Sequence, residues 1–199
     1  FGDVNASDRS EYVRLVGRRL LNKQWGLTLR PAAGGNIFPI GKVGKDRQRL
    51  VWHGSRASEA AARPPRPRDL ASPSALLGLE ASFERPIRVS KRDASCWFDQ
   101  LQLPPDIRRW TAQPPVTKSE LESFCDFSLD QIVSFGLAGE DLSAADSFWV
   151  VNNVWPMGFA WSSYMAQEEM LHLVEDAGIP MAQVLSADSA TPLCVDNVF

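Results

Sequence analysis

Two aspartates in apolar surroundings, Asp93 and Asp196, are the residues of this chain best placed to do chemistry. Asp93 lies in "RPIRVSKRDASCWFDQLQLP", where the alternation of Ile87, Val89 and Lys91 reads as a strand that ends at the aspartate, five residues before Phe98. Asp196 is followed by Asn197 in "PLCVDNVF", a short β-rich run. Between them, in "WPMGFAWSSYMAQ", Pro156 and Gly158 open a tight turn around Met157 into a helix that carries Gln167. Two carboxylates on neighbouring strands of one sheet can share divalent cations. Mg²⁺ takes oxygen ligands and is commonly held by one or two carboxylates, with substrate phosphates completing its shell. Paired ions of this kind activate an attacking hydroxyl and stabilise the leaving oxygen in in-line phosphoryl transfer. The chain has only two histidines and three cysteines, the latter odd in number and widely spaced. That argues against a disulfide framework or a zinc site, implies a reducing compartment, and suits a metal that needs neither residue type.

The elements that must position these groups can be read on either side of them. Tyr12, Val13, Val16, Leu20 and Leu21 recur at helical spacing, which predicts a helix from a Ser7 or Ser10 cap to about Gln24, with arginines on its other face. "NIFPIGKVGKDRQRLVWH" predicts a β-hairpin, Ile37 to Val43 and Gln48 to His53, around a basic tip, Gly44-Lys45-Asp46-Arg47, with Lys42 and Arg49 in the flanking strands. The Pro- and Arg-rich stretch Ala62 to Pro73 predicts an extended connector, followed by a short helix to about Leu79. From Trp110 to Asp146 the pattern weakens into loops and short helical pieces, punctuated by Pro114-Pro115 and Gly136. "SFWVVNNVWPMGF" then reads as a strand broken by Pro156, and "SSYMAQEEMLHLVEDAG" as a helix with a Ser162 or Ser163 cap and Gly178 beyond its end. Two further strands, "AQVLSA" and "PLCVDNVF", close the sequence. This order predicts an α+β fold.

Charge is unevenly distributed. Residues 1–110 hold 20 of the 21 Lys and Arg and 11 of the 24 Asp and Glu, a net +9, whereas residues 111–199 hold the remaining 1 and 13, a net −12. A basic first half suits an anionic partner, and a solvated charged face is the plainer alternative. The sequence has no run of about 18 apolar residues, the length needed to span a membrane. The first residue is Phe1 and no leader pattern precedes the first helix, so the chain is expected to be a piece of something longer.

Taken together and in this order, the segments resemble the reverse transcriptases of retroelements. The resemblance covers roughly residues 38–199. It implies a right-hand polymerase fingers and palm with an antiparallel palm sheet and packed helices, the thumb being absent. The expected organisation is a helical extension over 1–36, a fingers-like hairpin and connector over 37–85, and a palm-like domain over 86–199. That last domain would have an insertion near 111–146 and would end after the catalytic hairpin. The implied activity is RNA-directed DNA polymerisation, a nucleotidyl transfer of dNTPs to a primer 3′-hydroxyl on an RNA or DNA template. The family's site then falls on Asp93 and Asp196 as ligands of two Mg²⁺, or Mn²⁺ in their place, with Asn197 as a further candidate ligand. Lys42 and Arg49 would meet the triphosphate, Phe98 would lie under the sugar as a gate against a ribose 2′-hydroxyl, and Met157, Gly158 and Gln167 would lie against the nucleotide. The implied location is intracellular, nuclear or cytoplasmic.

The departures from the family pattern define the competing readings. Asn197 stands where the hairpin usually has a second Asp and Cys194 where it has an aromatic; His53 and Ser58 stand where relatives often have Asp and Asn. Asn197 keeps an oxygen but loses a charge, which weakens metal affinity if that position is a ligand. A catalytically decayed relative that keeps only the fold, or nucleic-acid binding, is therefore the second reading, and an acidic interaction module over residues 111–199 the third. Asp99 and Asp188 are rival carboxylates for a metal. Singly, each motif has a bland alternative: an Asp at a strand end caps, Pro-x-Gly turns, and Asp-Asn turns because both residues tolerate left-handed backbone.

Overall fold

The computed structural model describes residues 6–41, 48–66 and 94–181, with isolated positions at 82–84, 86 and 184. They fall into two compact units, one built from the chain up to Arg63 together with Phe98–Ser162, the other from Pro64–Trp97 and the residues from Ser163 onward. Among the described residues the architecture is mixed α and β with antiparallel sheets. The elements in chain order are α1 (Ala6–Leu21), β1 (Trp25–Thr28), β2 (Asn36–Gly41), β3 (Gln48–His53), α2 (Ser55–Ala60), α3 (Trp97–Gln100) and α4 (Pro105–Arg108). They continue with β4 (Ala112–Thr117), α5 (Lys118–Cys125), α6 (Leu129–Ser134), β5 (Ser147–Asn152) and α7 (Ser162–Asp176).

In the first unit β5 is the central strand of a three-stranded sheet, β1-β5-β4, antiparallel throughout. Its sequence, Ser-Phe-Trp-Val-Val-Asn, is aromatic and β-branched, which suits a strand covered on both faces. Both outer edges are covered: Phe135–Leu137 bonds to β1 through Leu27, and Ala33–Gly35 bonds to β4 through Ala112. At Leu27 and Ala112 the edge backbone is thus already paired, which blunts it as a template for another chain. Helix α1 lays Tyr12, Val13, Val16 and Leu20 into the core with Leu27, Val116, Leu121, Ile132, Leu142, Phe148 and Val150. Gly17 lets α1 approach α5 closely, since a Cβ there would lie 2.5 Å from Cys125 Sγ.

The stretch expected to be loops and short helical pieces is more ordered than its sequence suggests. Pro114 and Pro115 lie inside β4, where they form a bulge: Gln113 pairs with Val150 and Val116 with Phe148, so two prolines face the single residue Trp149. Proline lacks an N–H and is tolerated at an edge strand or a bulge. Their two carbonyls are occupied from α1, Tyr12 Oη donating to Pro114 O at 2.6 Å and Arg9 Nη2 to Pro115 O at 2.8 Å. Helix α5 starts with a capping box, Thr117 and Glu120, and α6 with another, Ser128 and Gln131. Glu120 also accepts both Arg9 nitrogens, Nε at 2.7 Å and Nη2 at 2.6 Å, so one carboxylate caps α5 and holds α1 to it. The core residues Val116, Leu121, Phe127, Ile132 and Leu142 all come from this stretch.

In the second unit α7 buries Ala166 and Leu171, and the Trp97 indole N–H donates to Ala166 O at 3.2 Å. The first helix is shorter than its periodicity predicts, ending at Leu21, and a turn over Asn22 and Lys23 leads into the four-residue β1.

Candidate functional site

Asp93, Asp196, Asn197 and Lys42 lie outside the described residues, as do the alternating strand before Asp93, the short helix after Ser72 and the final two strands. The other candidates are placed. Arg49 is exposed on β3, paired in register with Ile40 on β2. Phe98 is half-buried in the single-turn helix α3; Met157 is half-buried and Gly158 exposed in the turn after β5. Gln167 belongs to the second unit and is half-buried on α7.

Within the first unit, backbone hydrogen bonds tie three of the motif segments together. Leu101 to Leu103, just after Phe98, runs antiparallel to Asn153–Trp155: Leu103 N donates to Asn153 O at 2.8 Å and Trp155 N to Leu101 O at 2.9 Å. The Pro-x-Gly turn that follows then docks on the hairpin, with Trp52 N donating to Met157 O at 2.8 Å. Gly158 has φ +109°, and a Cβ there would lie 2.2 Å from Trp52 O. No L side chain satisfies both conditions, so this glycine is dictated by the contact with β3.

Aromatic packing and side-chain bonds fix the turn further. Trp52 is buried and meets Phe159 edge-on at 6.0 Å, and Phe159 stacks with Trp155 at 6.1 Å. Phe159 is therefore a core aromatic. The Ser162 hydroxyl donates to Pro156 O at 2.6 Å, closing the turn rather than capping α7 as its sequence suggests. Ser58 Oγ accepts from Ala160 N at 3.3 Å, and the Trp161 indole donates to Ala62 O at 2.7 Å, so α2 and the residues after it grip the same turn.

Of the rival carboxylates, Asp99 is occupied: its Oδ1 accepts from Arg19 Nη1 at 2.9 Å, an ion pair joining α3 to α1. Asp188 lies outside the described residues. Among the described residues no group of three or more His, Cys, Asp or Glu side chains could hold a metal, and no helix is long and apolar enough to cross a membrane. No protein-family model and no curated protein matches this chain.

Two polar features escaped the reading of the sequence. Gln113 Nε2 donates to Asn152 Oδ1 at 3.1 Å, and Asn152 bonds the backbone and hydroxyl of Thr111, a buried polar cluster across β4 and β5. The second is a cavity of about 270 Å³ lined by Gly34, Gly35, Asn36, His53, Ser55 and Arg56. His53 is exposed there with Nε2 3.0 Å from Ser55 Oγ. A run of polar residues after a strand end, His53 to Arg56, was the available signal.

Proposed function

We propose that the chain is the fingers and palm portion of an RNA-directed DNA polymerase. The observation that carries this reading is the backbone linkage of three motif segments in one unit: the stretch after Phe98, the Pro-x-Gly turn and strand β3 of the basic hairpin. In a polymerase these are the parts that surround an incoming nucleotide, and a glycine held against the hairpin strand gives that wall a fixed shape. Asp93 and Asp196 would hold two Mg²⁺, and such a pair would supply the charge that favours attack of the primer 3′-hydroxyl on the α-phosphate, with pyrophosphate as the leaving group. Lys42 and Arg49 supply positive charge to the leaving group; Arg49 is exposed and has no ion-pair partner among the described residues. Most of the rate then comes from positioning and preorganised charge.

The test is Mg²⁺-dependent incorporation of labelled dNTP on a primed RNA template, using the reading frame that contains this chain and its Asp93→Ala variant. Loss of a metal-holding carboxylate is expected to remove extension altogether, and extension that survives Asp93→Ala refutes the assignment. Asn197 in place of a second aspartate favours one other reading, a relative that keeps the fold without polymerising. Asn197→Asp separates the two: a gain in extension marks a weakened enzyme, and inactivity of both forms marks a relic.

A further inference from the structure

The cavity beside α2 has the size and the donors of a small-molecule site, and nothing in the polymerase reading uses it. Its volume of about 270 Å³ equals roughly nine waters at ~30 Å³ each and falls just below the usual ~300–1,000 Å³ of ligand pockets. That volume suits a compound of a few carbons. Among the described residues the wall is positive: Arg56 is exposed and has no hydrogen-bond or ion-pair partner there, and no described carboxylate lines the cavity. Beside it stand the Ser55 hydroxyl and the His53 imidazole, 3.0 Å apart, with His53 paired to Asn36 in the strand register. Asn36 also contributes an unmet demand, because its Oδ1 is enclosed with no hydrogen-bond partner. A slight turn of that amide toward the cavity would let a ligand donor satisfy it.

We propose that this cavity binds a small phosphate monoester bearing a free hydroxyl, with Arg56, Ser55 and His53 on the phosphate and Asn36 on the hydroxyl. With the Ser55–His53 bond opened by an entering phosphate, guanidinium, hydroxyl and imidazole suit its three terminal oxygens better than the two of a carboxylate, and guanidinium matches phosphate geometry. Asn36 supplies the selectivity, since an acceptor is satisfied only by a ligand that brings its own O–H or N–H. The proposal stands independently of polymerase activity.

The probe is glycerol 3-phosphate, titrated into the 199-residue chain while the imidazole resonances of its only two histidines, His53 and His172, are followed by NMR. A saturable shift of His53 alone is expected, with sulfate and glycerol binding at least tenfold more weakly. Arg56→Gln is expected to weaken glycerol 3-phosphate at least tenfold, and Asn36→Ala to bring it to the affinity of inorganic phosphate. Absence of a saturable His53 shift, sulfate binding as tightly as glycerol 3-phosphate, or affinity untouched by Arg56→Gln would each overturn the proposal. Arg56 is exposed, so its variant decides the matter even if Asn36→Ala does not fold.

Discussion

Replacing Gly158 by alanine tests the linkage between the turn and the hairpin directly. Two costs combine at this position. A non-glycine residue at φ +109° carries a backbone penalty of about 1–3 kcal/mol. The new Cβ, 2.2 Å from Trp52 O, must also force the strand and turn apart, and with them the bond from Trp52 N to Met157 O, worth about 0.5–1.5 kcal/mol net. The sum is about 2–4 kcal/mol, a large part of the ~5–15 kcal/mol that holds a typical domain folded. For a chain of this size it corresponds to a fall in Tm of roughly 5–15 °C. Gly139 provides the internal control, because it too has positive φ, +79°, but a Cβ there meets nothing within 4 Å. Urea unfolding of the two variants side by side isolates the steric cost of the contact. If Gly158→Ala is no more damaging than Gly139→Ala, the docking of the turn on β3 is wrong.

Other expectations follow from the ion pairs and the close helix approach. Glu120 is held below its ordinary carboxylate value by the hydrogen bonds from Arg9, against the opposing effect of burial and with help from Thr117. Its contribution is therefore complete above the unfolded carboxylate pKa and is lost as pH falls through the lowered folded value. Burial alone would raise Glu140, but bonds from Thr28, Leu29 and Arg109 outweigh it and the net shift is again downward, so it too loses its contribution as pH falls below the unfolded carboxylate value. Thermal unfolding between pH 6 and 3 is expected to show a shallower acid slope in Glu120→Gln than in the parent; identical slopes would remove Glu120 from the account. Gly17→Ala is expected to cost about 1–3 kcal/mol by overpacking against Cys125. Cys125→Ala in the same chain should return most of that, a coupling that a double-mutant cycle in urea measures and additive costs would deny.

The hairpin was legible in the sequence because two β-rich runs flank a polar tip, and β2 and β3 match those runs closely. Strand β5 and helix α7 were legible for similar reasons of composition and period. Strand β4 was not, since Pro114-Pro115 signals a break in any local reading. What permits the prolines is a bulge and two side chains of α1 more than a hundred residues earlier, which satisfy the carbonyls. Strand β1 is too short to show a period and exists because β5 pairs with it. Helix starts at Thr117 and Ser128 did carry a local signature, a Ser or Thr followed three residues later by Glu or Gln. At the site, Gly158 was singled out as a turn former, while its contact partner Trp52 was invisible from sequence. Asp99 looked like a spare carboxylate only because its partner, Arg19, lies on a distant helix.

The sheet order carries a consequence for synthesis on the ribosome. Strand β1 is made early, yet its ladder partner is β5, with Trp25 opposite Asn152. At ~5–20 residues per second, elongation needs roughly 6–25 s to supply that partner. During this interval α1 and β1 present Val13, Val16, Leu20 and Leu27, all destined for the core, with no sheet to receive them. Until β5 emerges, the nascent chain therefore carries apolar segments that nothing yet buries. Slowing translation after β1 lengthens that exposure, whereas slowing it after β5 has clearly emerged gives the sheet time to close.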